Sequence, residues 1–131
     1  MKRTPLLHAA LSLAIARLGH GDMIVIADAG LPVPEGTPCI DLALTRGVPT
    51  LAQVLAAVLT EMQVERIIVA REMRTRSAAT RDYIAAVLPA VAAEEISHDQ
   101  LKALTRHARA VVRTGEFTPY ANIVLVAGVV F

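Results

Sequence analysis

The stretch Met23-Ile24-Val25-Ile26-Ala27, closed by Asp28, decides how this sequence folds. Five consecutive apolar residues are typical of a short β-strand that is covered by packing on both faces. Similar short runs occur over residues 66–70, 110–113 and 122–128. Because segments with a helical pattern separate these runs, the sequence predicts an α/β fold. We expect a single three-layer α/β/α domain, residues 1–131, with a largely parallel or mixed central sheet.

Two of the predicted helices carry clear start signals. Thr50 precedes Gln53, and Ser97 precedes Gln100, with the spacing of a capping box. The second signal makes His98 the first residue of its helix. Helices are predicted over residues 5–18, 50–62, 77–88 and 98–107, and further extended segments over 40–44 and 95–97.

The N-terminus imitates a secretory signal peptide. Lys2 and Arg3 precede an apolar stretch, and Ala14-Ile15-Ala16 resembles a cleavage site. His8 and Ser12 interrupt the apolar run, which favours an amphipathic first helix and a cytoplasmic protein. No run reaches the roughly 18 apolar residues of a membrane span, so no membrane partner is expected.

The composition of the chain excludes several classes of partner and indicates contacts between subunits. The chain is 54% hydrophobic, against about 45–50% in an average domain, so we interpret the excess as subunit interface. A net charge of +1 does not call for a polyanionic partner, and the arginines of residues 66–81 are interspersed with acidic residues, so no nucleic acid is expected. Aromatic residues make up only 3%, which excludes a broad stacking platform.

Spacing excludes several common chemistries. The single Cys39 cannot form an intrachain disulfide or a CxxC zinc site, and the four histidines are too scattered to define a metal site. The dinucleotide, P-loop and nucleophile-elbow motifs are all missing. The spacing therefore signals no defined metal site and neither dinucleotide nor P-loop chemistry.

Polar residues beside the predicted strands are the candidates for a site, because ligands of such folds bind off the strand ends. They are His20, Asp28, His98, Tyr120 and Asn122. Each also has a structural interpretation. Asp28 could form a turn, His20 and His98 could face solvent, and Tyr120 and Asn122 could simply lead into the last strand.

Several long stretches together resemble the D-ribose pyranase family. They are Arg17-Leu18-Gly19-His20-Gly21-Asp22, Asp28-Ala29-Gly30-Leu31-Pro32-Val33-Pro34, Ile40-Asp41-Leu42-Ala43-Leu44-Thr45, Gly47-Val48-Pro49, Glu61-Met62-Gln63-Val64-Glu65, Arg113-Thr114-Gly115-Glu116 and Pro119-Tyr120-Ala121-Asn122-Ile123. The resemblance covers nearly the whole chain and is loosest over residues 75–96. It implies an isomerase of ribose catabolism, a mutarotase that interconverts pyranose and furanose D-ribose for a downstream kinase. It also implies a homodecamer without cofactor, whose sugar sites lie between subunits.

The resemblance also assigns roles to residues. It makes His20 the catalytic proton donor and Asp28 its partner, and it places Asp28 in contact with the sugar as well. The other residues that it places against the sugar are His98, Lys102, Tyr120, Ala121 and Asn122. Ring opening needs one group to protonate the leaving oxygen and another to remove the anomeric proton. A histidine can do either near neutral pH, and a carboxylate can orient an imidazole and stabilise its charged form.

The spacing of His20 and Asp28 raises a question about the site. Eight residues of straight strand span roughly 26 Å. The two side chains therefore meet only if the strand is shorter, if a loop folds back, or if they come from different subunits. Because of this distance and the apolar excess, we expect a site completed across an interface. Alternative functions are an L-fucose mutarotase, a non-catalytic sugar-binding or transporter-associated protein, and a periplasmic role.

Overall fold

A six-stranded mixed sheet forms the centre of the structure, a computed structural model that describes residues 1–131. The strands are β1 (Met23–Ala27), β2 (Cys39–Asp41), β3 (Val64–Ala70), β4 (Ala92–Ile96), β5 (Ala110–Arg113) and β6 (Ile123–Ala127). They lie in the order β2-β5-β1-β6-β3-β4. Only β6 is antiparallel to its neighbours, β1 and β3.

This pairing gives the sheet two distinct ends. The strands β1 and β3 finish where β6 begins, and we call this the Asp28 end because Asp28 follows β1 directly. At the opposite end, β1 and β3 begin where β6 finishes. We call it the His20 end because His20 lies in the turn before β1.

Helices cover both faces of the sheet, which confirms the predicted three-layer fold. They are α1 (Ala9–Ala16), α2 (Leu51–Leu59), α3 (Met73–Arg76), α4 (Ala78–Val87) and α5 (His98–Leu104), with a 3-10 turn at Thr105–His107. Buried residues of α1, α2 and α4 pack on the face that contains Ile24 and Ile26. Leu101 of α5 packs on the other face, with Val25 and Ala27. The alternation along β1 explains why every residue of this run is apolar.

Helix capping explains where the predicted boundaries hold and where they fail. Both predicted capping boxes, at Thr50 and Ser97, are present. The first helix starts at Ala9 instead of residue 5, because the His8 ring caps it by accepting a hydrogen bond from Leu11 N at 3.2 Å. None of the helices has the length and apolar character needed to cross a bilayer.

The structure gives two strands other bounds than the predicted 40–44 and 95–97: they are β2 (Cys39–Asp41) and β4 (Ala92–Ile96). β2 ends at Asp41, whose carboxylate accepts a hydrogen bond from Ala43 N at 3.0 Å and turns the chain away from the sheet. β4 ends at Ile96 because Ser97 already caps α5. The short helix α3 was not predicted.

Candidate active site

Asp28 and Asn122 form a doubly hydrogen-bonded pair at the Asp28 end of the sheet. Asp28 N donates to Asn122 Oδ1 at 2.8 Å, and Asn122 Nδ2 donates to Asp28 Oδ2 at 2.9 Å. The other carboxylate oxygen, Oδ1, accepts from Gly30 N at 2.9 Å. Asn122 is fully buried. These bonds fix the carboxylate of Asp28 in one orientation although the residues are distant in sequence.

His98 and Tyr120 lie at the same end of the sheet and contact each other. Their ring centroids are 4.9 Å apart and the rings are nearly perpendicular. Tyr120 adopts a φ of 60°, in the left-handed region, and the guanidinium of Arg76 lies 5.7 Å from its ring centroid. The Nδ1 atom of His98 is buried and has no hydrogen-bond partner within the chain. A polar atom in this state favours a ligand that can bind it.

Glu72 holds the His98 backbone in place. His98 N donates to both carboxylate oxygens of Glu72, at 3.2 and 3.1 Å. The pKa of Glu72 is lowered mainly by a hydrogen bond from the backbone N–H of Glu72 itself. The bond from His98 N lowers this pKa further. Glu72 is therefore ionised at neutral pH and satisfies the first N–H of α5.

Two other residues that the resemblance placed at the site have different surroundings. The Nζ atom of Lys102 pairs with Asp99 Oδ1 at 2.7 Å, and this hydrogen bond lowers the pKa of Asp99. Ala121, backbone included, is fully buried in the main hydrophobic core. Ala121 thus anchors the segment that carries Tyr120 and Asn122.

His20 lies at the opposite end of the sheet and does not contact Asp28 within the chain. Its Nε2 atom is 2.7 Å from Glu65 Oε2. The turn is fixed by two hydrogen bonds, from Gly19 N to Asp22 Oδ2 and from Gly21 N to Ala127 O, both 2.8 Å. The bond from Gly19 N, followed by the contact with Arg109, lowers the pKa of Asp22.

Each end of the sheet opens onto a cavity. A cavity of about 340 Å³ at the Asp28 end is lined by residues 28–30 and 116–119 and by Arg113. A cavity of about 490 Å³ at the His20 end is lined by His20, Gln63 and residues 128–131, among others. Both have room for a small polar ligand.

The sequence model of the RbsD / FucU transport protein family matches residues 1–130. The chain belongs to this family. Proteins named D-ribose pyranase are 59% identical in Chloroflexus aggregans and 63% identical in Paracidovorax citrulli, over the full length of both chains in each case. The resemblance found in the sequence is confirmed.

Solved structures of RbsD / FucU proteins share the fold. The structure of Bacillus subtilis RbsD complexed with D-ribose has a TM-score of 0.97, 45% sequence identity and full coverage of both chains. The fucose mutarotase from Streptococcus pneumoniae, in complex with L-fucose, has a TM-score of 0.85 and 24% identity, also with full coverage. The likeness to the second protein concerns the fold alone.

Four polar residues of this RbsD / FucU chain were not identified from the sequence. Glu65 carries a weak signal, because it is a charged residue between apolar Val64 and the core of β3. Arg76 belongs to the basic stretch that we interpreted as solvated surface. Glu72 carries no local signal, since its partner His98 is distant in sequence. The contact of Glu116 with Leu51 is equally distant, and its bonds to Thr118 are those of an ordinary loop.

Glu116 supports the loop that carries Tyr120. Its carboxylate accepts hydrogen bonds from Thr118 N and Thr118 Oγ1, at 3.1 and 2.7 Å, and from Leu51 N at 3.3 Å. Burial raises the pKa of Glu116, but these bonds outweigh it, and the pKa is lowered overall. An ionised Glu116 therefore ties this loop to the start of α2.

Proposed function

We propose that this chain is a D-ribose pyranase, a mutarotase that interconverts the pyranose and furanose forms of D-ribose. The proposal is supported by 59% and 63% identity to proteins of that name over their full length. The observation that carries it is the fixed carboxylate of Asp28 at the same end of the sheet as the His98–Tyr120 pair. These groups offer a charged acceptor, a phenol and an imidazole to the hydroxyl groups of a small sugar.

The reaction needs two proton transfers in each direction. When the pyranose opens, the bond between the anomeric carbon and the ring oxygen breaks. His20 donates a proton to the ring oxygen, and the carboxylate of Asp28 takes the proton of the anomeric hydroxyl. Closure to the furanose reverses both transfers through a different hydroxyl, so neither redox step nor covalent intermediate is required. An imidazole serves both directions near neutral pH.

The remaining groups bind and orient the sugar. Tyr120 and the unpartnered Nδ1 of His98 bind hydroxyl groups, while Asn122 holds Asp28 in place. Lys102 completes the binding residues, and the buried Ala121 holds Tyr120 and Asn122 in place from within the core. A pentose needs only these few hydrogen bonds, which is consistent with the small number of aromatic residues.

His20 of one subunit is proposed to complete the Asp28 site of a neighbouring subunit in a cytoplasmic homodecamer. The strand β1 separates the two residues within one chain. Large apolar side chains remain exposed and are available for contacts between subunits: Met1, Leu7, Leu13, Leu44, Val48, Phe117, Val129, Val130 and Phe131. Successive exposed apolar residues, such as Val129, Val130 and Phe131, are suited to contacts between subunits.

Mixing two inactive variants tests the function and the shared site together. Ribose ring exchange is measured by saturation-transfer NMR for His20→Ala, for Asp28→Asn and for a co-refolded equal mixture. Each variant alone should lose exchange, and His20→Ala should keep most ribose binding. Random assembly should restore about one quarter of the wild-type sites, those that combine the two intact residues.

The outcomes separate the competing functions. Wild-type protein that accelerates L-fucose exchange but not D-ribose exchange would identify a fucose mutarotase. Full exchange by His20→Ala would remove His20 from the mechanism and assign the proton transfer to another acid. Wild-type protein that binds D-ribose without accelerating its exchange would identify a binding protein. An inactive mixture, with active wild type, would contradict a site shared between subunits.

A further inference from the structure

His20 has one strong polar partner within the chain, and it is a carboxylate. Its Nε2 atom lies 2.7 Å from Glu65 Oε2, and no other hydrogen bond to the ring is formed. A carboxylate can only accept, so Nε2 must carry the proton of this bond. The contact therefore leaves Nδ1 as the nitrogen that can exchange a proton with a substrate.

A β-bulge directs Glu65 toward His20. The register of β3 against β6 shifts between Val64, which pairs with Ala127, and Arg66, which pairs with Val126. Glu65 is the extra residue, and the strand shows two successive exposed residues instead of an alternation. Bulges of this kind turn a side chain out of the regular pleat and are frequent next to active sites.

Gly128 leaves room for the Glu65 side chain at this position. A Cβ atom added to Gly128 would lie 3.0 Å from Glu65 Cβ, closer than ordinary packing allows. Gly128 N also donates to Gln63 O at 3.0 Å, which keeps β6 against the bulged strand. Backbone geometry thus holds Glu65 beside the His20 turn.

The exposure of His20 makes this bond the main restraint on its ring. The side chain of His20 is 61% exposed and that of Glu65 is 41% exposed. The hydrogen bonds of the turn fix the backbone of residues 19–22 but leave the imidazole free to rotate. An acid–base group must be held close to its productive geometry to act efficiently.

We propose that Glu65 is the positioning residue of His20, holding the proton on Nε2 and presenting Nδ1 to the sugar. This inference rests on the proposed function. In ring opening, the charged imidazole gives the Nδ1 proton to the ring oxygen and keeps the Nε2 proton bonded to Glu65. In closure, neutral Nδ1 takes a hydroxyl proton back, so Glu65 itself neither gains nor loses a proton.

Two variants of Glu65 and a matched control test this role. Glu65→Ala removes the acceptor, whereas Glu65→Gln retains an oxygen that can accept from Nε2. Glu94→Gln is the control, because Glu94 forms a pair of the same length, 2.7 Å, with Arg66, and both side chains are about half exposed. We expect Glu65→Ala to lower kcat for ribose exchange at least about tenfold with KM within about twofold. Glu65→Gln should retain more activity, and the control should match wild type.

Repeating the Glu65→Ala substitution in His20→Ala protein shows whether Glu65 acts through His20. In His20→Ala protein, Glu65→Ala should cause no further loss, because coupled residues are not additive. An equal loss in that background, or a kcat of Glu65→Ala within twofold of wild type, would overturn the inference.

A measurement independent of activity separates this inference from the proposed function. Nitrogen-15 NMR of the neutral His20 ring should show the Nε2–H tautomer in wild type and a mixture of tautomers in Glu65→Ala. A mixture already present in wild type would overturn the inference. Wild-type protein that shows the single tautomer but no ribose exchange would instead contradict the proposed function.

Discussion

Replacing Asn122 with aspartate tests the geometry of the Asp28 end by changing one hydrogen-bonding group. The variant keeps the size of the side chain and the acceptor for Asp28 N. It replaces the Nδ2 donor, 2.9 Å from Asp28 Oδ2, with a carboxylate oxygen. Two acceptors would then face each other in a position where the wild type has a hydrogen bond to a charged group.

The expected cost follows from the proton that the variant must take up. Sharing one proton between the two carboxylates restores a hydrogen bond, but an aspartate in water is protonated only below about pH 4. Holding that proton costs about 1.4 kcal/mol for each pH unit above this value, or about 4 kcal/mol at pH 7. Because Asp28 is partly exposed, solvent screening reduces the loss to about 2–4 kcal/mol.

The sign of the pH dependence is specific to this contact. Above about pH 4 the folded variant binds one more proton than its unfolded chain, so its stability falls relative to wild type as the pH rises. Urea unfolding followed by circular dichroism at pH 5 and pH 7, at one protein concentration, measures the difference. Asn122→Ala is the neutral comparison and should lose about 2–4 kcal/mol at both pH values. If Asn122→Asp loses the same stability relative to wild type at both pH values, the direct contact between residues 122 and 28 is refuted.

Three further substitutions test the loops and the core. Gly115→Ala should lose about 1–3 kcal/mol in thermal unfolding, because the new Cβ would lie 2.5 Å from the backbone oxygens of Thr45 and Val48; an unchanged melting temperature would contradict this packing. Because the pKa of Glu116 is lowered in the folded state, this residue stabilises the fold above about pH 4.3. Between pH 5 and pH 3, wild type should therefore lose more stability than Glu116→Gln. An equal loss of stability in the two proteins would contradict this. Leu125→Ala should cost about 2–5 kcal/mol in urea unfolding, since this side chain is fully buried, and a loss under 1 kcal/mol would contradict that burial.

The fold was predictable where local chemistry decides it. The run of β1 is apolar throughout because both of its faces are buried, and its predicted limits match the structure. Capping residues located α2 and α5 for the same reason, since Thr50 and Ser97 satisfy backbone groups of their own helix. The start of α1 was missed because a histidine cap is not among the usual start signals.

The arrangement of the site depends on contacts that are distant in sequence. Asp28 and Asn122 were both recognised as strand-end residues, but they are 94 positions apart. Their pairing requires β6 to lie antiparallel beside β1, and strand order does not follow from apolar runs. The bulge that directs Glu65 likewise arises from pairing with β6, so the sequence shows only a charged residue near the start of a strand.

The strand β1 that separates His20 from Asp28 also explains how two copies could share a site efficiently. It is central in the sheet, bonded to β5 on one side and β6 on the other, so it cannot bend to bring the two residues together. The same rigidity fixes the direction of His20 and Asp28 relative to one another in every copy. A neighbouring copy that docks in one orientation therefore delivers His20 without ordering a flexible loop, and little conformational entropy is lost in assembling the proposed site.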